Sequence, residues 1–136
     1  MDIEHKLPHA SIGPARLVGA LRYSIAGLRH AAHGEAAFRQ ELMACAVLVP
    51  VAVLLSVPRL ERLILVLSML LVMVIELLNS AIEATVDRIS AERHPLAGQA
   101  KDMGSAAVFL ALAMSIGCWA VIAGPVLIGW LSHPHW

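Results

Sequence analysis

The sequence predicts an all-α integral membrane protein, with three transmembrane helices following an amphipathic helix on the membrane surface. Three observations point there. The 136 residues are 59% hydrophobic and only 15% charged, with a mean hydropathy of +0.75. A soluble domain is near half apolar and a quarter charged, so the polar groups here are too few to cover a surface facing water. Three apolar stretches also approach the roughly 20 residues that a helix needs to cross a bilayer. Upstream of them, residues 13–34 carry apolar side chains at helical spacing, interleaved with arginines. The length suits a single domain, residues 1–136.

Taken in order, the segment from Met1 to His9 is polar, mixed in charge and followed by no apolar core, so it reads as a retained N-terminus and not a cleaved signal. The surface helix spans about 13–34. Leu17, Leu21, Ile25 and Leu28 recur on one face while Arg16, Arg22, Arg29 and His33 punctuate the rest. That pattern lays an apolar face in the acyl boundary and the arginines near anionic head groups, and Pro14 suits the first turn. The first span, about 37–57, is short in apolar residues and contains Pro50, tolerable where neighbouring helices satisfy the freed carbonyl. The second runs over about 61–86 and the third over about 103–131, with Trp130 near the outer end of the third, where indoles favour the interface. Cys45 and Cys118 lie inside apolar runs and read as small buried hydrophobes, not a disulfide or zinc site.

Charge sets the orientation. Ten Lys plus Arg balance ten Asp plus Glu, which removes the electrostatic case for nucleic-acid binding. Lys6, Arg16, Arg22, Arg29 and Arg39 precede the first span, and Arg88, Arg93 and Lys101 lie between the second and third. Only Arg59 and Arg62 fall on the other side. The positive-inside rule then puts the N-terminus and the second loop in the cytoplasm and the C-terminus outside.

The second span holds charges that a membrane disfavours. Glu76, Asn79, Ser80, Glu83 and Asp87 fall at i, i+3, i+4, i+7 and i+11, one narrow stripe of a helix. An ionised group at membrane depth is costly and marks a functional site by default. Glu76 lies deepest, about 10 Å of helix below Glu83, and suits a general base; Glu83, nearer water, suits a hard cation. The competing structural reading is interhelical polar glue, which Asn and Ser often supply. In the second loop Glu92, Arg93, His94, Lys101, Asp102 and Ser105 bring acid, base and hydroxyl groups to the entrance of the third span. Lys101 favours phosphate, and Asp102 is placed to position either a cation or that lysine. Carboxylates for Mg²⁺ plus cations for phosphate are the minimal equipment of phosphoryl transfer, though the G-x-x-x-x-G-K-[ST] nucleotide loop is absent. Glu35 and Glu41 flank the start of the first span; physics alone favours a solvated carboxylate for Glu35. The histidine pairs His5 with His9, His30 with His33, and His133 with His135 lack a third ligand at convincing spacing and read as interfacial or terminal residues.

Three runs in order carry a resemblance: Glu35-Ala36-Ala37-Phe38-Arg39-Gln40-Glu41, then Glu76-Leu77-Leu78-Asn79-Ser80-Ala81-Ile82-Glu83 with Asp87-Arg88, then Ala100-Lys101-Asp102-Met103-Gly104-Ser105-Ala106-Ala107. The sequence resembles the small bacterial integral-membrane diacylglycerol kinases over about residues 16–119. The resemblance implies a homotrimer of the bacterial inner membrane with active sites shared between subunits. It implies transfer of the ATP γ-phosphoryl group to the hydroxyl of diacylglycerol, giving phosphatidate, with Mg²⁺ required. By the same resemblance Glu76 is the general base with Asn79 beside it, and Glu35 and Glu83 hold the metal, against the bland reading of Glu35. Arg16, Tyr23, Glu35, Glu83, Glu92, Arg93, His94, Lys101 and Asp102 fall at nucleotide contacts. Arg16, Phe38, Arg39, Gln40, Glu41, Glu76, Ser105 and Trp119 fall on the lipid side. Two alternatives stand beside it: a sister activity on undecaprenol, and a non-enzymatic bundle using Glu76 as a proton or cation site.

The orientation is open to direct measurement. A reporter fused to the C-terminus should register an external location; cytoplasmic reporter activity there would reverse the topology.

Overall fold

Prolines and glycines punctuate the chain where its helices begin and end. The computed structural model describes residues 14–89 and 94–132, which form four helices: α1 (Pro14–Gly34), α2 (Ala36–Leu54), α3 (Arg59–Ile89) and α4 (Pro95–Ser132). Among the described residues there is no strand. The start of the chain, on which the retained N-terminus rests, lies outside the described residues, as do Glu92 and Arg93 and the histidines His5, His9, His133 and His135.

Each boundary has a local cause. Pro14 opens α1, where a fixed φ and a missing N–H cost nothing. Gly34 closes it, and Glu35 adopts extended backbone, φ −101° and ψ 120°, before α2 resumes. Pro58 disfavours helical geometry at Val57, so the chain turns there and α3 starts at Arg59. Pro95 opens α4, with the Leu96 N–H donating to His94 Nδ1 at 3.2 Å. The helix thus begins about two turns ahead of the apolar run near residue 103, because hydropathy marks the part in lipid and not the part that is helical. Pro50 and Pro125 sit inside α2 and α4 without ending them.

Helices α2, α3 and α4 are each long and apolar enough to cross a membrane. α3 packs against both α4 and α2, while α1 is joined mainly through α2. A buried cluster of Ala52, Leu55, Leu65 and Ala123 closes the end of the bundle holding the α2–α3 turn. There Arg62 Nη2 donates to the carbonyls of Leu55 at 3.1 Å and Val57 at 3.4 Å, so the turn's exposed backbone acceptors are met from inside. Midway along, Ser115 bridges the helices, its hydroxyl 3.2 Å from that of Ser68 and 3.3 Å from Met69 Sδ. Cys45 is buried and Cys118 half-buried, both free thiols.

Much apolar surface stays uncovered on the single chain. Leu70, Phe109 and Ile116 point outward from the spanning helices, and Leu17, Leu21, Ile25 and Leu28 remain exposed on α1. Among the described side chains of α1, the buried one is Ala31, near its C-terminal end. Such a surface is what lipid or a neighbouring subunit covers, and the exposed row on α1 is the row its spacing predicts for an interfacial helix.

Leu65 has no exposed surface, and inside a bilayer its contribution is packing and not transfer from water. Leu65→Ala should lower stability by about 2 kcal/mol or more, read by reversible denaturation in mixed micelles.

Candidate active site

Helical periodicity alone puts the five polar residues of α3 in a row; the packing of α4 and α2 around α3 decides how deep each one sits. Glu76 is 5% exposed and Asn79 9%. Ser80 and Glu83 are half-buried, and Asp87 is exposed. The stripe therefore runs from dry to wet along one helix. Asn79 is tied to it internally, its Nδ2 donating to Glu83 Oε1 at 3.1 Å. The carboxylate of Glu76 lies within electrostatic reach of Glu83, Glu35 and Glu41, so four acidic groups from α2, α3 and the α1–α2 junction share one region.

Glu35 occupies the N-cap position of α2 but makes no capping hydrogen bond with its side chain. Its carboxylate is free for another task. It lines a cavity of about 880 Å³ between α1 and α3, together with Ser24, His30, His33 and Ser80. Glu41, two turns into α2, is half-buried with Oε2 enclosed and without a hydrogen-bond partner. It shares an apolar groove of about 420 Å³ with Met69, Val72, Ser115 and Trp119, and the Trp119 Nε1–H is likewise buried and unmet. Buried polar groups are nearly always satisfied, so two unmet ones in one groove mark a site that something other than this chain completes.

At the water-facing end Lys101 Nζ pairs with Asp87 Oδ1 at 2.6 Å, joining α4 to the end of α3. Lys101 is therefore held by Asp87, and of the two roles open to Asp102, positioning a cation or positioning that lysine, the second is taken by Asp87. Neighbouring helical residues point about 100° apart, whereas a residue on the facing helix can meet the ammonium head on. Asp102 and Ser105 are exposed. His94 accepts from the α4 backbone through Nδ1, which leaves Nε2 as the ring nitrogen open to a ligand.

The remaining sequence-derived residues divide by role. Phe38 is buried at 1% exposure, a packing position under the α1–α2 corner. Arg39 Nη1 donates to the His33 carbonyl at 3.0 Å and braces that corner. Gln40, Arg16 and Tyr23 are exposed. One participant escapes sequence reasoning: Gly104, buried on α4 where a Cβ would run into Asn79 Oδ1. The available signal was a glycine inside an apolar helix, a mark of close helix approach.

Among the described residues, no three His, Cys, Asp or Glu side chains converge as a ready metal site. Glu35 and Glu83 nevertheless offer hard oxygen donors, and Mg²⁺ characteristically binds through one or two carboxylates with water and substrate phosphates supplying the rest. The donor set fits that ion when it arrives with a nucleotide. The stripe thus presents, in order of depth, a buried carboxylate and then a half-buried one suited to a cation, with Glu35 offered from the α1–α2 junction and Lys101, suited to phosphate, from α4.

Comparison with known proteins agrees. The profile of the prokaryotic diacylglycerol kinase family matches residues 22–123. A diacylglycerol kinase of Pseudomonas aeruginosa is 56% identical over 110 residues, which covers 81% of this chain and 89% of the relative. That of Escherichia coli K12 is 49% identical over 110 residues, covering 81% and 90%. That of Helicobacter pylori J99 is 41% identical over 125 residues, covering 92% and 94%. The matched stretch contains Glu35, Glu41, the whole α3 stripe and Lys101. With those carboxylates inside it, the chain belongs to the prokaryotic diacylglycerol kinase family.

Proposed function

We propose that the protein phosphorylates the free hydroxyl of diacylglycerol within the membrane, using ATP and Mg²⁺ and releasing phosphatidate and ADP. The observation that supports this most is the gradient along α3, with Glu76 buried beneath the half-buried Glu83. A lipid hydroxyl stays in the membrane while a nucleotide stays in water, so the two must meet along such a gradient.

Glu76 accepts the proton of the lipid hydroxyl as its oxygen attacks the γ-phosphorus of ATP. The bond from that phosphorus to the β–γ bridging oxygen breaks, and ADP leaves. Asn79 holds Glu83, and Glu83 with Glu35 would hold Mg²⁺. When bound, the ion offsets charge on the transferring phosphoryl group. Lys101 binds phosphate, and Arg16, Tyr23, Glu92, Arg93, His94 and Asp102 surround the nucleotide. Glu41 and Trp119 face the polar part of the lipid in the groove they share, with Ser105, Arg39 and Gln40 nearer its entrance and Phe38 packing the corner behind. The single domain assembles as a homotrimer in the bacterial inner membrane, N-terminus in the cytoplasm. The uncovered apolar faces and the unmet polar pair are what adjoining subunits and lipid complete.

Phosphate transfer from γ-labelled ATP in Mg²⁺-containing micelles, with diacylglycerol and undecaprenol offered in parallel, tests this. Labelled phosphatidate should form, and Glu76→Gln should lower its rate by about 10²–10⁴-fold. Label on undecaprenol alone would reassign the substrate, and label on neither would refute the kinase reading. Separately, Glu83→Gln should raise the Mg²⁺ concentration needed for half-maximal rate; an unchanged Mg²⁺ response would remove Glu83 from that role.

A further inference from the structure

The buried contact between α3 and α4 at Asn79 is asymmetric. On one side Asn79 Nδ2 donates to Glu83 Oε1 at 3.1 Å. On the other, Asn79 Oδ1 is buried without a hydrogen-bond partner, at the spot a Cβ on residue 104 would occupy. Only the NH₂ end of the amide can donate to a carboxylate, so the pairing with Glu83 assigns which end faces which helix.

We infer that Gly104 is a positioning residue for the metal-binding carboxylate: its missing Cβ is the space that lets the Asn79 amide lie flat between the helices and hold Glu83. The amide is planar and rigid. Displacing its oxygen therefore displaces its nitrogen, and Asn79, itself nearly fully buried, has little room to turn. Glu83 would then lose its orientation.

The choice of residue points the same way. Within a helix Gly is less favourable than Ala because it holds more backbone entropy to lose. Local helix stability therefore argues for Ala at this buried position of α4, and the contact with Asn79 is what argues against it. No other described glycine has a neighbour within 4 Å of where a Cβ would stand. The close approach is specific to this point, opposite the stripe and one residue before Ser105.

This inference rests on Glu83 holding the cation, and its test separates the two. Mn²⁺ binding in place of Mg²⁺ is titrated by electron paramagnetic resonance on the full-length protein in micelles with a non-hydrolysable ATP analogue and no lipid substrate. Partners that orient a metal ligand typically matter about 10–100-fold in affinity, and Gly104→Ala should weaken Mn²⁺ within that range. On an Asn79→Ala background the same substitution should cost nothing further, because the clashing amide is gone. The Asn79 side-chain amide signal in the nuclear magnetic resonance spectrum, identified by its loss in Asn79→Ala, should shift in Gly104→Ala.

Mn²⁺ affinity that falls in Glu83→Gln but not in Gly104→Ala would overturn the role of Gly104 and leave the metal assignment standing. Affinity unchanged in Glu83→Gln would overturn the metal assignment and the inference with it. Additive losses in the double variant, or an unmoved amide signal, would also overturn it. Should Gly104→Ala fail to fold, recovery of the fold in the Asn79→Ala background supports the steric contact, and no recovery refutes it.

Discussion

An ionisable side chain cannot be left facing hydrocarbon, and the architecture follows from satisfying that constraint for one helix. α3 carries Glu76, Asn79 and Glu83 on a single face within a strongly apolar sequence. That face has to be covered by protein or wetted from the end of the bundle. Hence α3 is the central helix, with both α4 and α2 packed against it, while α1 is joined mainly through α2. The end of the bundle that holds the α2–α3 turn is closed by apolar packing around Leu65 and by Arg62 on the turn carbonyls. The opposite end carries Glu83, Asp87 and Lys101.

Two kinds of polar contact hold the helices together, and they do different things. Ser68 and Ser115 meet in the middle as neutral groups, the ordinary interhelical glue of a membrane bundle, each with a partner. Other polar contacts are less complete. Asn79 satisfies Glu83 with one end and leaves the other unmet, and Glu41 and Trp119 each retain an unmet polar atom in a dry groove. Arg62 Nε is likewise unmet at the α2–α3 turn, so incomplete satisfaction runs along the bundle, and where it borders a groove a ligand can return the cost of desolvation.

The Lys101–Asp87 pair illustrates how position governs the worth of a charge. With side chains 37% and 66% exposed, it is screened by water and adds little to stability. Its consequence is geometric: it holds the ammonium at the mouth of the site, above Glu83, where an anion from the aqueous side would first arrive. The same two charges at the level of Glu76 would be expensive and unreachable.

Glu35 was singled out only by the family resemblance, whereas the four helices, the depth order of the stripe and its carboxylates Glu76 and Glu83 were legible in the amino-acid sequence. Each depends on local rules: apolar length against bilayer thickness, Pro and Gly at helix ends, and a period of about 3.6 residues that puts Glu76, Asn79 and Glu83 on one face. What one helix presents to another is not local. That Lys101 meets Asp87 and not Asp102, that Phe38 is core and Arg39 a brace, and that Glu41 and Trp119 share a groove all depend on how the helices rotate and cross. Gly104 is the sharpest case, a bare glycine in the sequence whose meaning comes from the asparagine opposite it. Periodicity decided which residues share a face, and tertiary packing alone decided which faces touch, because backbone approach is set by the side chains of both helices at once.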